Sequence, residues 1–277
     1  MTADAPEIIR IRPSHGWRAL DLAELRRYRG LLLFLTLRDI RLRYKQTALG
    51  VAWAVLQPLA TMLVFTIFFG KLAKLPSDDK PYALFVLAAL VPWQLFAYAL
   101  TQSGNSLVAE QRLITKVYFP RLIVPVASVL SGLVDFFVTL LMLLSLAAWY
   151  GLGFSWSLAT VPLWAAFALA TALAFGLWLA ALNVEYRDVR YAIPFLIQFW
   201  MFVTPVAYPA SLVPEQYRTL YGLNPMAGVV EGFRWALLGT SAPAWGMIGV
   251  SALVVAALLT GSLFYFRRLE RTFADVI

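Results

Sequence analysis

The chain has no cysteine and one histidine, His15. Without cysteine there can be no disulfide framework, thiol nucleophile or Cys-based zinc site. With a single histidine in a polar tail, where such a residue is ordinarily just solvated, the Ser–His pair of an intramembrane protease and the HExxH type of metal site are excluded. A phosphate-binding loop is missing as well. Gly70-Lys71 is followed by Leu72, and the position five residues before Gly70, where that motif needs glycine, is Phe65. Leu130-Ser131-Gly132 resembles the start of an ATPase signature loop, but it lies inside an apolar run and is read as coincidence. The expectation is a chain without catalysis, metal or cofactor of its own. Acids are scarce too: 15 Asp and Glu stand against 23 Lys and Arg, for a net charge of +8. In a polar chain that excess would point to nucleic acid. In an apolar one it marks cytoplasmic loops, so no nucleic-acid partner is expected.

What is present is apolar surface. Hydrophobic residues make up 61% of the 277, against roughly 45–50% in soluble domains. They are gathered into runs long enough to cross a bilayer. The fold class expected is all-α integral membrane, with six transmembrane helices at residues 51–69, 82–102, 122–150, 158–182, 192–208 and 245–266. The fifth is short and bounded by Pro194, Pro205 and Pro209. Two units follow: residues 1–50 as a charged cytoplasmic segment and residues 51–277 as the six-helix domain. Residues 1–50 show no early apolar stretch, so no cleaved signal peptide is expected.

Within the first unit, a 100° rotation per residue puts Leu33, Leu37, Ile40 and Tyr44 on one face and Arg38, Arg41 and Lys45 on another. With Arg43 beside them, this reads as an amphipathic helix lying at the membrane surface, cations toward anionic headgroups. An ordinary basic juxtamembrane segment is the alternative. Lys and Arg count 18 on one set of alternate segments and 5 on the other, together the full 23. The positive-inside rule then puts both termini in the cytoplasm and residues 209–244 outside. That external stretch is too apolar for a free loop. It reads as re-entrant helices between spans five and six, or as a loop packed flat on the surface.

Few polar groups interrupt the spans. Asp135 is the one acid near the middle of a span; it is either functional or a hydrogen-bonding group that holds helices together. Gln94, Tyr98 and Gln102 recur at i, i+4 and i+8, as one stripe. Gln57, Thr61, Phe65 and Phe68 lie near one face of the first span, and Gln198 and Phe202 near one face of the fifth. Amides alternating with rings suit a sugar path, because sugar C–H groups stack on rings and hydroxyls exchange hydrogen bonds with amides. Interfacial aromatics and helix-packing glutamines are the plainer reading of each residue alone.

Several motifs in order carry a resemblance. Arg43-Tyr44-Lys45-Gln46-Thr47-Ala48-Leu49-Gly50, then Trp53 and Gln57-Pro58, begin the first span. Tyr82-Ala83-Leu84-Phe85 with Pro92-Trp93 follow in the second. Residues 113–121 (Leu113 through Phe119-Pro120-Arg121) and 183–190 (Asn183 through Asp188-Val189-Arg190) form two loops. Thr204-Pro205, Asn224-Pro225-Met226 and Phe233-Arg234 come last. Together they resemble the membrane (permease) subunits of type-2 ABC transporters that export O-antigen, teichoic acid or capsule. The resemblance runs from about Leu31 onward and leaves the first 20 residues unmatched. It implies a bacterial inner-membrane homodimer working with two cytoplasmic ATP-binding subunits, which would bind ATP and Mg. The substrate implied is a lipid-linked glycan, most naturally O-antigen, with membrane lipids around the path. A type-2 permease for a drug or small lipid is the alternative. In that frame the short loops 105–121 and 183–190 are expected to dock on the ATPase through Glu110, Arg112, Lys116, Tyr118 and Phe119, and through Glu185, Tyr186, Arg187 and Asp188. Headgroup-level anchoring of Tyr118, Phe119 and Tyr186 is the alternative.

Overall fold

The computed structural model describes residues 26–45, 52–153, 155–240, 242–270 and 273. His15, residues 46–50 of the first motif and Val51 lie outside these. Every regular element among the described residues is helical. Besides two short 3-10 turns, Trp156–Thr160 and Ala210–Leu212, they are in chain order α1 (Arg29–Tyr44), α2 (Ala52–Phe65, running on into a π-helical turn Thr66–Leu72), α3 (Tyr82–Ala109), α4 (Gln111–Lys116), α5 (Ile123–Ser131), α6 (Leu133–Trp149), α7 (Val161–Glu185), α8 (Val189–Val203), α9 (Glu215–Tyr221), α10 (Pro225–Leu238) and α11 (Trp245–Leu269).

Helix α3 is the axis of the molecule. Its residues from Leu84 to Trp93 are all buried. Such a helix, apolar all round, is stable only inside other helices. Its main neighbour is α7, and the contact is made by small residues. A β-carbon on Gly176 would sit 2.5 Å from the Ser103 hydroxyl, and one on Gly104 would sit 3.3 Å from Leu179 of α7, with Ile193 of α8 closer still at 2.7 Å. Small residues let backbones approach where lipid tails compete for apolar contact. Asn183 then bonds the Gly104 carbonyl at 3.0 Å, fixing the register of the pair.

Helices α3, α7 and α11 run in one direction. Asn183 of α7 lies beside Gly104, and the Trp178 ring stacks on Tyr265 of α11 at 4.5 Å. Near the other end Phe85 of α3 meets Arg234 of α10, while Gly232 of α10 presses on Trp164 of α7. The pieces between run back. Gly70 after α2 abuts Tyr82, and Gly132 between α5 and α6 abuts Tyr98.

Among the described residues, five stretches are long and apolar enough to cross a membrane: Ala52–Leu72, Tyr82–Ala109, Ile123–Trp149, Trp156–Glu185 and Trp245–Leu269. The expected fifth span falls short of that length as the helix Val189–Val203. Thr204 is extended (φ −88°, ψ 142°), as the residue before Pro205 prefers, and this ends α8 at Val203, five residues before the expected limit at Tyr208. The second and sixth spans outrun their expected ends, because helical periodicity continues past the apolar stretch.

Most of α10 is buried. Asn224 caps it, accepting from the Met226 amide at 3.2 Å, and Pro225 occupies the first turn, where no amide hydrogen is needed. Gly239 closes it with φ 60°. A second, smaller core gathers Leu35 of α1 with Leu107, Ile114, Phe119, Leu122 and Phe266.

Candidate functional site

One cleft, of about 580 Å³, opens between α1, α2, α3 and α6. It brings together Gln57 and Thr61 from α2 with Gln94, Tyr98 and Gln102 from α3, five residues of the expected path. Pro58 is buried on α2, and Gly132 lets the α5–α6 junction close on the Tyr98 ring. Trp53, Trp93 and Met201 complete the apolar wall. Hydroxyls bound to backbone line the same helices: Thr61 donates to the Gln57 carbonyl at 2.9 Å and Thr101 to the Ala97 carbonyl at 2.8 Å.

The other four path candidates lie elsewhere. Phe65 is buried in the main core and pairs with Phe69 at 5.1 Å between ring centroids. It shares a face of α2 with Pro58, which lines the cleft, but lies seven residues further along, about two turns, beyond the cleft. Phe68 and Phe202 are exposed, at 56% and 59%, and Gln198 is exposed too.

At the cleft Asp135 has found partners. The Arg43 guanidinium forms an ion pair with it and the Tyr44 hydroxyl donates to it. Thr139 bonds the Asp135 carbonyl oxygen at 2.8 Å. Arg43 also lies over the Tyr98 ring, 4.2 Å from its centroid, and the Tyr98 hydroxyl is 3.1 Å from Ser131. Burial, and then the bond to Asp135, raises the Tyr44 hydroxyl above its ordinary pKa, so it remains a donor at any physiological pH. The acid read as intramembrane thus forms one cluster with Arg43 and Tyr44, two residues read as interfacial.

Helix α1 makes a second polar contact. Arg38 forks onto Glu110, at 2.5 and 3.0 Å, and onto Asp39. Burial works to lower the Arg38 pKa, but the bonds to Glu110 and Asp39 outweigh it and raise it. Glu110, read as an ATPase contact, is therefore tied within this chain. Phe119 is 4% exposed in the smaller core and cannot anchor a partner. The aromatic after Tyr118 turns inward here because Pro120 and Arg121 start the α5 helix against Phe266 and Glu270, with the Arg121 amide on the Glu270 carboxylate at 2.9 Å. Arg112, Lys116 and Tyr118 are exposed, as are Glu185, Tyr186, Arg187 and Asp188. The Glu185 carboxylate, hydrogen-bonded to it, raises the Tyr186 hydroxyl pKa. On α1, Arg41, Arg43 and Lys45 are exposed, while Leu33 and Leu37 face outward and Leu35 inward.

A further cluster was not singled out as a site. Arg234 on α10 is fully buried. Its guanidinium bonds the carbonyls of Val206 at 2.9 Å and Tyr208 at 3.2 Å, pairs with Glu231 at 2.8 Å, and lies 3.5 Å over the Phe85 ring. Beside it Tyr82 bonds the Ala207 carbonyl at 2.6 Å. The signal available was a lone cation in the apolar stretch 227–238, which calls for named partners.

Residues 30–238 match the family model of the ABC-2 type transporter. The chain is 32% identical over 260 residues to the O-antigen export system permease protein RfbA of Myxococcus xanthus, covering 92% of this chain and 98% of that protein. It is 25% identical over 249 residues to RfbA of Klebsiella pneumoniae, covering 89% and 95%. It is 27% identical over 252 residues to the polysialic acid transport protein KpsM of Escherichia coli, covering 86% and 91%.

Proposed function

The chain belongs to the ABC-2 type transporter family, and from that premise we propose that it is the transmembrane subunit of an ATP-driven polysaccharide exporter, with lipid-linked O-antigen the leading substrate. The observation that carries this reading is the cleft in which amides from α2 and α3 meet the Tyr98 ring. A glycan needs rings to stack on and amides that exchange hydrogen bonds as it slides. The names of the relatives, O-antigen and polysialic acid carriers, favour a polymer of sugars over a drug or small lipid.

The family implies an ABC ATP-binding partner. In our reading two such subunits bind ATP and Mg and hydrolyse the nucleotide, while this chain pairs with a second copy and does no catalysis. The partner would meet the exposed residues Arg112, Lys116, Tyr118, Glu185, Tyr186, Arg187 and Asp188. Six passes through the bacterial inner membrane complete the picture, with both termini in the cytoplasm. The direction of the helices supports the sixth pass. Both α7 and α11 run parallel to α3, so the chain must return once between them, and α8 with residues 204–208 makes that return. It passes from Ile193, beside Gly104, to Val206 and Tyr208, which share Arg234 with Phe85. That length of α3 is about 28 Å at 1.5 Å per residue, close to the roughly 30 Å of hydrocarbon. The buried α10 would then be the re-entrant element.

The test is loss of surface glycan. Deletion of the gene should leave lipid-linked polymer inside the cell and remove it from the surface, and a plasmid copy should restore it. A Gln94→Ala, Tyr98→Ala double variant, expressed at the native level, should fail to restore it. Full surface polymer in the deletion strain would sink the function. Full restoration by the double variant would move the path out of this cleft.

A further inference from the structure

The Tyr98 ring is the central platform of the polar stripe, one helical turn from Gln94 and one from Gln102. That platform is occupied by the chain itself. The Arg43 guanidinium lies on it, 4.2 Å from the ring centroid, and is held there by the Asp135 carboxylate, which Tyr44 also contacts. A sugar face and a guanidinium compete for the same side of a ring. The ring's quadrupole favours the cation, and the carboxylate beside it adds an ion pair that a neutral sugar cannot match. Asp135 is itself steadied through its backbone by Thr139, and Tyr98 by Ser131.

Resting on the path reading above, we propose that Arg43 is a built-in latch on the glycan platform: Asp135 parks it on Tyr98, and glycan moves along the stripe only after α1 withdraws it. The same helix supplies the handle. Five residues before Arg43, Arg38 grips Glu110, at the start of the segment that leads through α4 to α5. A displacement of that segment pulls on α1 as a rigid rod and lifts Arg43 from the ring. Asp135 is thus a positioning residue that acts through Arg43, not a relay for protons.

The chain has no native cysteine, so a Gln94→Cys variant reports on the stripe directly. The complex of this chain with its ATP-binding partner, in inside-out membrane vesicles, is treated with a water-soluble maleimide with and without a non-hydrolysable ATP analogue. Labelling of this chain should be slow without nucleotide and faster with it. Arg43→Gln and Asp135→Asn should each raise the nucleotide-free rate about five-fold, the scale set by losing one ion pair together with its ring contact, and should abolish the response to nucleotide. Parental rates in both variants overturn the latch, as does a nucleotide response that survives Arg43→Gln. If Asp135→Asn fails to accumulate, Arg43→Gln decides alone, since it removes a partly exposed group. The path reading fails separately: full export by the Gln94→Ala, Tyr98→Ala variant overturns the path and leaves the labelling result to judge the latch.

Discussion

Arg234 shows what a single buried cation does in this protein. It joins three backbone carbonyls, one carboxylate and one ring, drawn from α3, α10 and the stretch between α8 and α9. Two of those carbonyls, Val206 and Tyr208, belong to non-helical backbone, which has no ladder of its own, so the guanidinium satisfies groups that lipid cannot. Its planar fork reaches several acceptors at once, and a lysine cannot reproduce that. Replacement by alanine would leave Glu231 without its cation and the Val206 and Tyr208 carbonyls without their donor, at a cost of about 3–5 kcal/mol. We expect Arg234→Ala to collapse the yield and thermal midpoint of detergent-purified protein, with Arg234→Lys intermediate. A melting midpoint for Arg234→Ala within a degree of native would refute the staple. Its neighbour Tyr221 bonds the Val203 carbonyl at 2.7 Å, and burial, then the Tyr208 hydroxyl at 3.0 Å, raise its pKa.

At the scale of elements, two joints carry the argument. The first is the α3–α7 seam, where Gly176 meets Ser103 with no room for a methyl group. Gly176→Val would force the helices apart at an overpacking cost of about 1–3 kcal/mol, and we expect earlier thermal aggregation with less assembled complex. Unchanged stability would mean that the seam is not the close contact it is drawn to be. The second joint is Arg38–Glu110. Charge reversal Glu110→Arg should uncouple ATP hydrolysis from export, and the paired reversal Arg38→Glu should restore coupling, because the contact lies within this chain. If the double reversal stays uncoupled while Arg38→Glu alone is harmless, Glu110 acts on the partner instead. Either outcome is read from ATP turnover and surface polymer in the same cells. The sequence pointed to both ends of this joint but assigned one to lipid and the other to the ATPase. Spacing along a chain shows which residues share a face, and it cannot show which face of another helix will meet them across 72 residues.

For the whole molecule the first test is topology. A cysteine at Ser211, exposed between α8 and α9, should react with an impermeant reagent in intact spheroplasts, whereas one at Thr115, exposed on α4, should react only after permeabilisation. Labelling of both from outside would break the alternation of charge on which the six-pass reading stands. Much of this architecture was legible beforehand, for a plain reason. Long apolar runs must be helices in a bilayer, where every backbone group has to be satisfied within its own segment, so hydropathy alone marks five of the spans. The Gln94–Tyr98–Gln102 stripe was legible because period and side-chain type coincide on one helix. What only the tertiary structure decided is how separate helices meet. Phe65, expected on the sugar path, went to the main core and Phe119, expected on the ATPase, to the smaller core, because the burial of a ring depends on which neighbour covers it. Asp135 drew Arg43 and Tyr44 into the cleft from a helix 91 residues away in sequence, because a partly buried carboxylate is stable only beside a cation or donors. That meeting is a property of the folded chain, and no window of its sequence contains it.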